Sequence, residues 1–73
     1  MSDKLPVVSG KDLIKFFLSL GYYVRGQEGS HVHLRHPNKP PLTIPNHKEI
    51  GRGTLRAIIR QAGLPRNDFK RMI

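Results

Sequence analysis

The chain has 73 residues, with thirteen Lys and Arg against five Asp and Glu, giving a formal charge of +8 and a pI near 10.7. That length supports one small apolar core, so residues 1–73 are read as a single domain, and the charge points to a polyanionic partner: nucleic acid first, then an acidic protein or an anionic membrane surface. Without cysteine there is neither a disulfide framework nor a thiolate zinc site, and the expected compartment is the cytoplasm.

The start, MSDKLPVV, lacks the charged-then-apolar pattern of a signal peptide. SGKD then predicts a helix start, in which Ser9 caps and Asp12 meets the positive end of the helix dipole. Leu13, Phe16, Phe17 and Leu20 follow at helical spacing, and Gly21 stands where a left-handed residue ends a helix, so residues 11–20 are predicted helical. The apolar run LIKFFLSL is interrupted by Lys15 and is too short to span a bilayer, so no membrane segment is expected.

YYVRGQ predicts a strand with Tyr22 and Val24 on one face and Tyr23 and Arg25 on the other, and residues 27–30 predict a hairpin turn. In SHVHLRH, Val32 and Leu34 alternate with His31, His33 and Arg35, a period of two that predicts a second strand. His36 falls at its rim, before Pro37. The proline-rich turn at residues 37–41 leads to LTI, a short third strand with Leu42 and Ile44 toward the core, which Pro45 is expected to stop. NHKEIGRG reads as a polar loop. A second helix is predicted from residues 52–54, with Leu55, Ile58, Ile59 and Ala62 buried and Gly63 at its end. Pro65 can open a short final helix anchored by Phe69 and by Met72 or Ile73.

The order is α-β-β-β-α with a short C-terminal helix, a two-layer α+β domain in which helices cover one face of an antiparallel meander. The other face would carry Tyr23, Arg25, His31, His33, Arg35 and Thr43.

Three readings compete for a face with so much imidazole. His31 and His33 at i, i+2 can share a metal ion, but two imidazoles are not a site, and no Cys, Asp or Glu is suitably spaced to complete one. A small basic protein can also carry histidines on a wet strand face with no task, which alternation alone favours. The third reading is acid–base work on RNA, where the 2′-hydroxyl is the nucleophile and the protein supplies only proton transfer and cations around the phosphate. Arg25, Arg35 and Lys48 are candidates for phosphate stabilisation, and equally ordinary solvated charges.

SGKDLIKFFLSLGYYVRGQEGSHVHLRHPN, TIPNH and GRGTLRAIIRQAGL, in this order and spacing, resemble the HicA-type mRNA interferase toxins of type II toxin–antitoxin modules. The likeness extends from residue 9 to residue 69. It rests on Gly29-Ser30-His31, on Pro45 and His47, and on Gly53-Thr54-Leu55 with Ala62-Gly63-Leu64. It implies a double-stranded-RNA-binding-domain-like fold and metal-independent cleavage of messenger RNA without a small-molecule cofactor. It also implies His31 as the catalytic residue and a HicB-type antitoxin protein that covers the site. The alternative function is a non-catalytic RNA-binding module of the same fold, built on the basic surface alone.

The residues add their own readings. His31 opens a strand beside a glycine-bearing turn, where a phosphate can approach closely. Ser30 serves turn geometry or, second, an RNA contact. His47 either fixes its loop by a hydrogen bond or touches phosphate. His33 is a candidate RNA contact and is not assigned a catalytic role. Gly51-x-Gly53-Thr54 reads as helix initiation before it reads as a backbone contact to RNA.

Overall fold

The protein's structure is a computed structural model in which residues 8–64 are described. Helix α1 (Gly10–Ser19) is followed by strands β1 (Tyr23–Glu28), β2 (His31–Arg35) and β3 (Leu42–Pro45) and by helix α2 (Arg52–Ala62). The strands form one antiparallel sheet in the order β1-β2-β3. This is the α+β arrangement expected from the sequence, with the element order of a double-stranded-RNA-binding domain. The predicted short C-terminal helix, with Phe69, Met72 and Ile73, lies outside the described residues.

Helix α1 starts where the sequence places its cap: the Ser9 hydroxyl accepts the Asp12 amide at 3.0 Å. It ends at Leu20, and Gly21 follows at φ +101°, a conformation that favours glycine. Helix α2 ends in the same way, with Gly63 at φ +74° closing the last turn onto the Ile59 and Arg60 carbonyls.

The alternation in β2 sends Val32 and Leu34 inward to meet Leu42 and Ile44 of β3. Leu13, Phe16 and Phe17 of α1 and Leu55, Ile58, Ile59 and Ala62 of α2 close over them in one cluster. Six of these side chains are shielded completely from solvent: Leu13, Phe17, Leu34, Leu42, Ile44 and Leu55. Truncating one such leucine to alanine typically costs about 2–5 kcal/mol.

The first strand departs from its simple alternation. Tyr22 precedes β1 and is buried; its hydroxyl donates to the Pro40 carbonyl at 3.0 Å, and its ring meets Phe17 edge-on. Burial pushes that hydroxyl above its usual pKa of 10. Val24 pairs with Leu34 yet stays half exposed, because the helices pack mainly over β3 and leave the edge strand uncovered. A bulge between Val24 and Gly26 accommodates Arg25 as an extra residue and resets the pairing, so that Gly26 lies opposite His33.

The hairpin turn is also tighter than expected: β1 continues through Glu28, leaving only Gly29 and Ser30 to connect it to β2. Gly29 takes φ +59° and Ser30 does not, the sign pattern of a type II′ turn, which matches the twist of the strands it joins. Pro45 does not stop β3 but ends it as a member, opposite His31; proline is tolerated at the end of an edge strand, where its missing N–H breaks no interior ladder. The loop expected to be polar holds one core residue, Ile50, which is buried and bridges Val8 across the chain.

His36 sits half-buried at the rim of the sheet against the Tyr22 ring. The Asn38 amide donates to its Nδ1 at 2.9 Å, which places the ring proton on Nε2, where it is donated to the Leu20 carbonyl at 3.2 Å. Among the described residues, no helix is long and apolar enough to cross a membrane.

Candidate nucleic-acid interface

The strand register sets the sheet face opposite the helices in three rows. In the row nearest the β1–β2 turn, His31 lies between Glu28 and Pro45; in the next, His33 lies between Gly26 and Thr43. In the last, Arg35 lies beside Tyr23. His31 and Arg35 are exposed and His33 partly so, because odd positions of β2 point away from the core that Val32 and Leu34 fill.

The imidazoles differ in what they touch. His31 is exposed, and among the described residues its ring has no hydrogen-bond partner. His33 is engaged at both nitrogens: Nδ1 with the Thr43 hydroxyl at 3.1 Å and Nε2 with the Glu28 carboxylate at 3.1 Å. The carboxylate accepts, so Nε2 carries a proton. Glu28 is exposed enough for this pair to add little to stability, and its effect is to hold the His33 ring in place.

His47 reaches back to the turn, its Nε2 3.2 Å from the Ser30 hydroxyl. Two backbone bonds fasten the same region, from the Asn46 amide to the Ser30 carbonyl at 2.6 Å and from the Gly10 amide to the His47 carbonyl at 2.8 Å. The turn before His31, the loop after β3 and the start of α1 thus form one connected unit. Gly10 is its keystone: a β-carbon there would lie against the Pro45 carbonyl oxygen, 2.7 Å from the Asn46 Cα and 2.9 Å from the His47 nitrogen.

The candidate residues fall into two groups. Ser30, His31 and His47 gather at the turn end of the sheet. Arg25, His33 and Arg35 line a shallow groove with Thr43 farther along the strands. Lys48 is exposed on the following loop, and among the described residues no hydrogen bond or ion pair joins it to either group. No cluster of three His, Cys, Asp or Glu side chains fit to hold a metal ion occurs among the described residues.

Three features escaped the reading of the sequence. Glu28 was not foreseen at His33, because the tighter hairpin that puts it there is visible only once the strands pair. Gly10 has no local signal, since its constraint comes from a loop 35 to 37 positions away in sequence. Arg52, Arg56 and Arg60, all exposed on α2 with no acid in its first turn, do have a signal in their four-residue spacing. Like charges at that spacing destabilise a helix by about 0.2–0.5 kcal/mol per pair, and this stripe adds exposed positive charge on α2.

The sequence matches the family described as HicA toxin of bacterial toxin-antitoxin over residues 10–64. Among solved structures it is similar to a chain of a toxin–antitoxin complex from Streptococcus pneumoniae, with 34% identity and a TM-score of 0.68. That likeness covers 78% of this chain and 98% of the other. No curated protein is significantly similar to the chain. The family match spans α1 through the end of α2, all five elements that build the sheet and its helical cover, and the chain belongs to the HicA toxin family of bacterial toxin–antitoxin systems.

Proposed function

We propose that the protein is the toxin of a type II toxin–antitoxin system and an mRNA interferase, a metal-independent endoribonuclease in which His31 moves the proton. The observation that carries this reading is a solvent-facing imidazole that has no hydrogen-bond partner among the described residues, set at the end of a cationic sheet by a turn that the loop after β3 fastens.

In this chemistry His31 takes the proton of a ribose 2′-hydroxyl. The freed oxygen bonds to the adjacent phosphorus, the bond from phosphorus to the 5′-oxygen breaks, and the departing oxygen takes up a proton. The products are a 2′,3′-cyclic phosphate and a 5′-hydroxyl. Arg25, His33 and Arg35 supply hydrogen-bond donors and positive charge for the phosphates beside the one attacked, and Lys48 adds a cation at the loop. His47 acts through Ser30 by holding the turn.

The protein partner is an antitoxin of HicB type that covers the sheet face. Charge complementarity to a cationic surface speeds such an encounter. The S. pneumoniae relative is itself described in a toxin–antitoxin complex, which supports a partner of this kind.

Catalysis is separated from mere binding by turnover. Purified protein at a hundredth of the RNA concentration, in EDTA, is expected to convert most of the RNA to fragments. Retention of intact RNA in a salt-sensitive complex would instead identify a binding module.

A further inference from the structure

Among the described residues, the outward sheet face carries one large aromatic ring. Tyr23 is 53% exposed, although its neighbour Tyr22 is buried to 4%. It stands opposite Arg35 in the row farthest from His31, and Arg25 of the bulge lines the groove that Arg35 shares. Between Tyr23 and Glu28 the outward position on β1 is Gly26, where a β-carbon would meet nothing within 4 Å. The face therefore offers, in sequence, a proton-transfer group, a bare floor flanked by His33, then an aromatic plane beside two guanidinium groups.

We propose that Tyr23 is a base-stacking platform for a single-stranded nucleotide neighbouring the one cleaved, with Arg25 and Arg35 holding the backbone that leads to it. The proposal rests on the RNA-cleaving reading of the same face. Arg35 lies four residues along β2 from His31, about 13 Å at strand rise, so the Tyr23 ring serves a nucleotide other than the one whose ribose is attacked. A base can lie flat on a protein ring only when it has left its own stack. The segment bound here is therefore unpaired, whereas duplex RNA, recognised largely by shape and backbone, offers no exposed base plane. Stacking of this kind tolerates any base, and the guanidinium groups contribute charge without reading sequence.

The chain has two tyrosines and no tryptophan, which makes the test direct. The probe is a single-stranded 2′-O-methyl RNA oligonucleotide, which cannot be cleaved by 2′-oxygen attack, compared with the same strand annealed to its complement. Single-stranded probe is expected to quench tyrosine emission of the wild-type protein, and Tyr23→Phe is expected to bind equally well while losing most of the quenching. Tyr23→Ala is expected to bind about ten- to a hundredfold more weakly. Tyr23→Leu, which keeps apolar area without a π-face, is expected to follow alanine. Removing one base of the probe should weaken wild-type binding and leave Tyr23→Ala unchanged. If wild type cleaves RNA and Tyr23→Ala binds and cleaves as well as wild type, stacking is overturned while the RNA reading stands. If wild type neither binds the probe nor cleaves RNA, both fall. Preference for the duplex would overturn the single-strand assignment alone.

Discussion

His31→Ala is expected to slow RNA cleavage by about a hundred- to ten-thousandfold, the usual range for removing a general acid–base group, and to leave the fold unchanged. That loss corresponds to roughly 3–5 kcal/mol of barrier. The fold should be indifferent because the side chain is exposed and its ring has no partner among the described residues; surface changes of this kind usually stay within about 0.5 kcal/mol. His33→Ala provides the contrast. It abandons contacts to Glu28 and Thr43, so its effect belongs to substrate affinity more than to the chemical step. Single-turnover rates at saturating RNA, measured beside thermal melts, separate the two. A His31→Ala protein that cuts as fast as wild type would remove His31 from the chemistry. Equal losses in both variants would show that the two imidazoles act together.

Gly10→Ala is expected to destabilise the fold by about 1–3 kcal/mol or more, which for a domain of this size lowers the melting temperature by roughly 4–8 °C for each kcal/mol. The added methyl would press on the Pro45 carbonyl oxygen, the Asn46 Cα and the His47 nitrogen. All three are backbone atoms, so no side-chain rotation relieves the contact. Either α1 withdraws or the loop shifts, and both movements strain the Gly10 to His47 hydrogen bond and the neighbouring bond from Asn46 to Ser30. The damage should therefore appear twice, as lower stability and as slower cleavage. Gly53→Ala makes the opposite prediction. A β-carbon there meets nothing within 4 Å, and alanine is favoured over glycine in a helix by up to about 1 kcal/mol, so stability should hold or rise. Melting curves of the two variants check both signs.

The elements that could be read from the residues are those whose signal is local and repeated. Val32 and Leu34 alternate with polar partners over enough positions to fix both the strand and its inward face. Leu55, Ile58, Ile59 and Ala62 do the same at helical period, and Ser9 with Asp12 marks a cap within a single turn. What could not be read depends on pairing between distant segments. Tyr22 and Val24 look like equals in an alternating strand, yet one is locked under Pro40 and the other is left at an uncovered edge, because the bulge and the position of the helices decide their fates. Ile50 gave no periodic pattern, being a single apolar residue whose partner, Val8, lies across the chain.

The site divides along the same line. The exposure of His31 follows from its own strand. The occupancy of the His33 and His47 rings does not, because Glu28, Thr43 and Ser30 reach them only through the register of three strands and the docking of a loop. Reading imidazoles by spacing alone makes them look equivalent; among the described residues, hydrogen bonds engage the rings of His33, His36 and His47 and not that of His31.

Attack by the substrate's own 2′-oxygen, assisted by His31, is tested most directly with an RNA oligonucleotide carrying a single 2′-deoxy nucleotide at the cleaved linkage, incubated in EDTA beside its all-ribose counterpart. The all-ribose strand is expected to yield a 2′,3′-cyclic phosphate and a 5′-hydroxyl, with the deoxy linkage left whole. Scission of the deoxy linkage, or products ending in a 3′-hydroxyl and a 5′-phosphate, would mean that water or another nucleophile attacks the phosphorus and that His31 has no 2′-proton to take.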